Sequence, residues 1–507
     1  MCPLSRDSSA SVVDAPGRCS SGVPGLDAVL NGGLPRDRMY VIEGSAGVGK
    51  TTLGLQFLLE GLARGERGLY ISLSETQSEL EAVAESHGWS LDGIAVVELS
   101  SLQQLTAPAQ STVFHSSELE LNHVTEALIQ RIEAVDPRRV VFDSLFELRL
   151  LAQAPIRYRR QMLTLKQLFA PRACTVLLLE DITMVQGDMQ IANMANGVIR
   201  LESIRTEYGA ERRRLSVTKL RGVPFLSGYH DYLVRTGGVE VFPRLVASAG
   251  LVDYASERVS CGQDNLDQLL GGGLDRGSSS LLVGAAGCGK SIVATQMAYA
   301  AAERGERVLV LSFEESVRKL TERAAQLAMP LDAHIAEDRV IIVQIDPSEL
   351  TPGELAQLVT THVRQNNVQM VVIDSLNGYL QAMPHEQFLI LHLHELLSFL
   401  NRHGVVTVMI LAQHGLISDM VTPADVTYLA DTVIVLRYFE ALGRVRKAIS
   451  VLKKRNSSHE NSIRELLIGD GKLSIGAVIA GFQGILSGIP VAQGTTLDET
   501  PFADQMR

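Results

Sequence analysis

Two short stretches of this chain carry the residue types, at the spacing, that grip a polyphosphate. Gly44-Ser45-Ala46-Gly47-Val48-Gly49-Lys50-Thr51 and Gly284-Ala285-Ala286-Gly287-Cys288-Gly289-Lys290-Ser291 both fit G-x-x-x-x-G-K-[S/T]. Glycines at those places let backbone N–H groups turn toward phosphate oxygens, the lysine reaches the β- and γ-phosphates, and the last hydroxyl ligates Mg²⁺. Each stretch follows an apolar, strand-like run and opens a helix-like one, the context such a loop requires. A glycine turn that binds nothing can match the pattern once. Two copies in register argue for ATP with Mg²⁺, with Thr52 joining the first set of ATP contacts.

Phosphoryl chemistry also needs a carboxylate on the metal, at the end of an apolar strand. Val140-Val141-Phe142-Asp143-Ser144 and Val371-Val372-Ile373-Asp374-Ser375 supply one in each half. The expected metal ligands are therefore Thr51 with Asp143 and Ser291 with Asp374, and Glu314 is a further candidate. The third requirement is a group that activates the nucleophile. Glu314-Glu315 directly follows the run Val308–Phe313, whereas the first half reads Ser74-Glu75 at the matching place. Glu75, Glu314 and Glu315 are the catalytic candidates. Taken singly, each of these acids reads equally well as a helix cap or a solvated turn; their pairing with phosphate loops favours chemistry. The missing carboxylate at Ser74 predicts that the two sites do not turn over alike.

Repeated elements must hold these residues. Residues 22–75 align with 262–315 without a gap, so that Lys50 meets Lys290 and Glu75 meets Glu315 at one offset. Further on, Asp143 pairs with Asp374, and Lys219-Leu220-Arg221 with Lys453-Lys454-Arg455. This is a tandem duplication with its joint near Pro243–Ser260. Met39–Ile42, Gly68–Leu73, Arg139–Phe142 and Thr175–Leu179 read as buried strands, and Thr51–Arg64 and Val124–Val135 as helices between them. Such alternation predicts an α/β fold with mainly parallel central sheets. Gly197–Ser203 and Arg213–Leu220, split by a charged turn at Glu207–Arg212, are expected as a hairpin on the sheet edge. The implied layout is a flexible N-terminus at 1–15, a first domain at 16–246, a second at 247–485 and a polar tail at 486–507.

Composition narrows the class. The 507 residues are 20% charged and 46% hydrophobic, the balance of a globular protein large enough for two domains. No apolar run approaches the ~20 residues of a membrane span, and Met1–Ser20 has no apolar core of a secretory leader, so neither membrane nor secretion is expected. Five dispersed cysteines without a C-x-x-C pair argue against zinc or a disulfide framework and for a reducing cytoplasm. A net charge of -11 disfavours nucleic acid as a partner.

Several further motifs, added to the phosphate loops, resemble the KaiC family of circadian-clock ATPases and autokinases, within the RecA-like proteins. They are Ser312-Phe313-Glu314-Glu315-Ser316, Ile373-Asp374-Ser375-Leu376, Glu211-Arg212-Arg213-Arg214-Leu215 and Lys219-Leu220-Arg221-Gly222, with the stretch Ala448–Leu467 bearing Lys453, Arg455 and His459. The resemblance spans about residues 15–485 and keeps the order of the halves. It implies two tandem RecA-like P-loop NTPase domains forming the tiers of a homo-hexamer, with ATP held between neighbouring subunits. By the same resemblance the first tier hydrolyses ATP, and the second also moves phosphate to and from hydroxyls. It adds Lys219, Leu220, Arg221, Lys453, Lys454, Arg455 and His459 to the ATP-binding set, the outer cations of each triplet reaching a neighbour's nucleotide.

In the phosphorylation segment the chain departs from the family. Thr427 and Tyr428 stand where the clock proteins carry adjacent Ser and Thr. Thr427 is the expected phosphoacceptor, and Tyr428, with a bulkier and differently placed oxygen, is expected to pack. The tail Val491–Arg507 shows no amphipathic helix of the kind that docks an activating partner. A small regulatory protein on the first domain is the remaining expected partner. Two rival readings use the same loops: a RecA-like enzyme acting on DNA through Arg157-Tyr158-Arg159-Arg160 and Arg212-Arg213-Arg214, and a nucleotide-gated scaffold without kinase activity.

Overall fold

The computed structural model describes residues 17–98, 117–152, 154–182, 193–205, 209–246, 253–381, 386–413, 426–441, 443–469, 471–485 and 491–492. The chain divides into two compact units, Met1–Arg244 and Leu245–Arg507. The expectations for residues 1–15 and for most of the tail lie outside the described residues; Val491–Ala492 pairs antiparallel with Phe482–Gln483.

The first unit is built on nine strands: β1 (Met39–Gly44), β2 (Gly68–Ser72), β3 (Ile94–Glu98), β4 (Arg139–Asp143), β5 (Thr175–Asp181), β6 (Gly197–Ile204), β7 (Arg212–Leu220), β8 (Tyr229–Arg235) and β9 (Gly238–Phe242). Their order in the sheet is β3-β2-β4-β5-β1-β6-β7-β8-β9. Strands from β3 to β6 run parallel, and β7 to β9 continue antiparallel. The second unit repeats this with β10 (Ser279–Ala285), β11 (Arg307–Ser312), β12 (Val340–Gln344), β13 (Val368–Asp374), β14 (Val406–Gln413), β15 (Thr432–Ala441), β16 (Arg444–Lys454), β17 (Arg464–Gly469) and β18 (Lys472–Val478). Its order, β12-β11-β13-β14-β10-β15-β16-β17-β18, is the same strand for strand. These are tandem RecA-like α/β domains.

Strands buried on both faces read as continuous apolar runs, which is why the parallel ones were visible in the sequence. Alternate residues feed two cores. On one face Ile42, Tyr70, Val141 and Leu179 share a cluster with Leu53, Phe57 and Leu58 of helix α1 (Lys50–Ala63). On the other, Val41, Ile71, Val140 and Phe142 share one with Leu128 and Ile132 of α2 (Ser117–Val135) and Met162 and Leu165 of α3 (Pro155–Phe169). Among the described residues no helix is long and apolar enough to cross a membrane.

The expected edge hairpin forms as β6–β7, but it is not the edge. β6 pairs parallel with β1, and β8 and β9 follow β7, so β9 closes that side. The half-exposed β8 lacked the apolar run that marked the inner strands, and residues 207–208 of the predicted turn lie outside the described set. Both sheets carry a register shift at one matched place: opposite Val198/Ile199 in β7, and opposite Val433/Ile434 in β16. A bulge there re-aims the side chains that follow.

Candidate functional site

Each phosphate loop joins a buried strand to a helix. β1 ends at Gly44, where an added Cβ would lie 2.6 Å from the Leu201 carbonyl oxygen of the neighbouring strand. At Gly284 the same clash, with the Leu436 carbonyl, would be 2.3 Å. Glycine opens the motif because the sheet closes on it. Gly49 (φ 96°) and Gly289 (φ 110°) adopt left-handed backbone just before α1 and its counterpart α4 (Lys290–Glu303). The loop residues Ser45, Ala46, Gly47 and Val48, and Ala285, Ala286, Gly287 and Cys288, so lead into a helix N-terminus, whose free N–H groups favour anions.

Lys50 Nζ donates to the Gly44 and Ser45 carbonyls at 2.8 and 2.7 Å, and Lys290 Nζ makes the same two bonds to Gly284 and Ala285. Burial lowers the Lys50 pKa, opposed by the nearby charges of Asp181 and Asp143. Val48 and Cys288 point into the core. Thr52 Oγ1 lies 3.5 Å from His87 Nε2.

The predicted metal ligands meet in both domains. Thr51 Oγ1 donates to Asp143 Oδ2 at 2.7 Å, and the Ser291 side chain lies near enough to Asp374 to lower the pKa of its carboxyl. A hydroxyl and a carboxylate beside a phosphate loop are hard oxygen donors, and Mg²⁺ is usually held by one or two such groups plus phosphate oxygens and water. The residues fit that ion. Among the described residues no cluster of three or more His, Cys, Asp or Glu could hold a metal ion by itself. Burial raises the Asp374 pKa, against the nearby Ser291 side chain and the Arg323 charge, which lower it.

The glutamates sit on a shared turn. Ser72 Oγ donates to the Glu75 carbonyl at 2.5 Å, and Ser312 Oγ to that of Glu315 at 2.7 Å. The helices that follow are capped by Thr76, in a capping box with Glu79, and by Ser316. Beyond this the domains diverge. Glu314 Oε1 accepts a 2.6 Å bond from Ser375, next to Asp374, while Glu315 is paired with Arg323 at 2.5 Å. In the first domain Ser74 stands for Glu314 and Val83 for Arg323. Glu75 is left with a buried Oε2 that accepts no hydrogen bond, and burial, then the charge of Asp143, push its pKa up.

The triplets near the ends of β7 and β16 alternate in direction. Lys219 and Arg221 both donate to the Asn193 carbonyl, at 3.3 and 3.0 Å. Lys453 donates to the Thr427 and Ala430 carbonyls at 3.1 and 2.8 Å, and Arg455 to that of Tyr428 at 2.6 Å. Between them Leu220 is buried, and Lys454 bonds the Leu270 and Gly273 carbonyls of its own domain. His459 is half-buried beyond the end of β16. Thr427 is half-buried and Tyr428 is 51% exposed. Sequence reasoning did not foresee that the cations clasp the segment before β6 in one domain and before β15 in the other.

The basic clusters are differently engaged. Tyr158 is 1% exposed, so it is no stacking platform for a base. Arg213 pairs with Glu211 at 3.0 Å, and Arg214 pairs with Glu202 while lying over the Tyr229 ring.

A family model described as "ATPase: KaiC" matches residues 19–246 and again 259–478. The chain is similar to the circadian clock oscillator protein KaiC of several organisms. It is 26% identical to that of Parathermosynechococcus lividus over 490 residues, covering 93% of this chain and 87% of that protein. Against that of Synechococcus elongatus it is 26% identical over 499 residues, covering 94% and 92%. For Prochlorococcus marinus the identity is 27% over 486 residues, covering 93% and 95%.

Proposed function

Because the chain belongs to the KaiC ATPase family, we propose that it binds ATP with Mg²⁺ at both loops, assembles as a homo-hexamer, hydrolyses ATP and phosphorylates its own Thr427. The observation that carries the reading is the matched contact of Thr51 with Asp143 and of Ser291 with Asp374, each at a phosphate loop. Mg²⁺ supplies charge neutralisation on the β- and γ-phosphates when bound. Lys50 and Lys290 exchange their carbonyl bonds for phosphate oxygens. In the second domain Glu314, oriented by Ser375, takes the proton of the acceptor hydroxyl, while Glu315 stays paired with Arg323. In the first, water activation falls to Glu75 alone, so turnover there is slower.

Register supports a trans role for the cations. Val198, opposite Lys219, pairs with Val41, three residues before Gly44 on β1. Val433, opposite Lys453, pairs with Leu281, three residues before Gly284. At ~3.3 Å per residue each pair stands about 10 Å back along the sheet from its own loop. A neighbour's nucleotide is their natural target, and Thr427, held by Lys453, would meet the same γ-phosphate. Free, buried Cys19, Cys174, Cys261 and Cys288 suit the expected cytoplasmic setting. Intact mass before and after ATP–Mg²⁺, with native mass for assembly, tests this. A hexamer that gains no phosphate would support the scaffold reading instead.

A further inference from the structure

We propose that Tyr70 is a positioning residue of the first phosphate site, holding Asp143 for the Mg²⁺–ATP complex and giving the first domain its own divalent-cation requirement. The inference rests on Thr51 and Asp143 being the metal side of an ATP site. Tyr70 is fully buried in β2, where it pairs with Val141 of β4, two residues before Asp143. Its hydroxyl donates to Asp143 Oδ2 at 2.5 Å, and the same oxygen accepts the 2.7 Å bond from Thr51. The carboxylate is thus pinned from the core side and from the loop side.

Packing alone does not call for that hydroxyl. The ring belongs to an apolar cluster with Ile42, Leu53 and Leu179, and a buried hydroxyl is tolerated there only with a partner. The second domain places Val310 at the matching strand position, so Asp374 receives no such phenol. Groups that orient a ligating carboxylate from behind commonly change metal affinity by 10–100-fold when removed.

The test uses the full chain carrying Lys290→Ala, so that the first site is read alone. Retention of a fluorescent ATP analogue is titrated with Mg²⁺, and its affinity is measured separately in EDTA. Tyr70→Phe should raise the Mg²⁺ needed for half-maximal retention roughly tenfold or more, with affinity in EDTA unchanged. Tyr70→Val, which borrows the side chain of the sister domain, should do the same and serves if the phenylalanine variant does not fold. An unchanged Mg²⁺ requirement, or an equal loss with and without Mg²⁺, overturns the role of Tyr70 and leaves the site reading intact. A Tyr70-bearing chain that retains no nucleotide overturns the site reading and this inference with it.

Discussion

Thr427 and Tyr428 are adjacent, yet the backbone presents them differently. Lys453 and Arg455 hold their carbonyls, the threonine is half-buried, and the tyrosine projects into solvent. Transfer needs a hydroxyl in line with the γ-phosphate and a base within hydrogen-bond reach. Thr427→Ala should remove most phosphate incorporated from labelled ATP, and Tyr428→Phe little. Glu314→Gln should slow transfer while leaving ATP binding intact. Phosphopeptide mapping decides it, and label on Tyr428 alone would overturn the argument. Glu75 permits a second test. A base acts deprotonated, and its pKa is raised, so on acidification it is silenced at a higher pH than an ordinary glutamate, whose pKa is ~4.3. Phosphate release by the Lys290→Ala chain should fall in that range, and Glu75→Gln should be low and flat across it. A slope surviving in the glutamine variant would assign water activation elsewhere.

The strand–loop–helix unit depends on one close approach. β10 and β15 pass so near at Gly284 that a methyl would meet the Leu436 carbonyl at 2.3 Å. Backbone must move to admit it, so Gly284→Ala should cost about 1–3 kcal/mol of second-domain stability and weaken nucleotide binding with it. Gly469→Ala, where the methyl meets nothing within 4 Å, should change stability by no more than about 0.5 kcal/mol. Denaturant unfolding of both variants compares them. The matched bulges matter at this scale too. By breaking the alternation of β7 and β16 next to the triplets, they let Lys219 and Lys453 face their clasped segments while Leu220 and Lys454 turn inward.

Across the whole chain, duplication provides two loops of one design with different acids behind them. Assembly should follow ATP, because the outer cations lie far from their own loops. Sizing with and without ATP–Mg²⁺ should give hexamers only with nucleotide, and a monomer at saturation would remove the basis for catalysis in trans. Lys290→Ala should abolish self-phosphorylation, since only the second domain has both glutamates, and Lys50→Ala should mainly impair assembly. If neither variant changes either readout, the loops do not bind ATP as assigned.

Repetition made much of this legible in one dimension. Loop spacing, strand-end Asp143 and Asp374, and the apolar runs of the parallel strands are local patterns, and their recurrence in register marks two α/β domains. The half-exposed β8 and the surface-alternating end of the sheet have no such signature, so the sequence pattern stops at β6–β7 and leaves the true edge, β9, unmarked. Pairings between distant residues depended on folding: Tyr70 with Asp143, Glu315 with Arg323, Ser375 with Glu314, and the cations with Asn193 or Thr427. A sequence shows that a glutamate follows a strand, but which group neutralises or orients it depends on what the neighbouring strand and helix bring within hydrogen-bond reach.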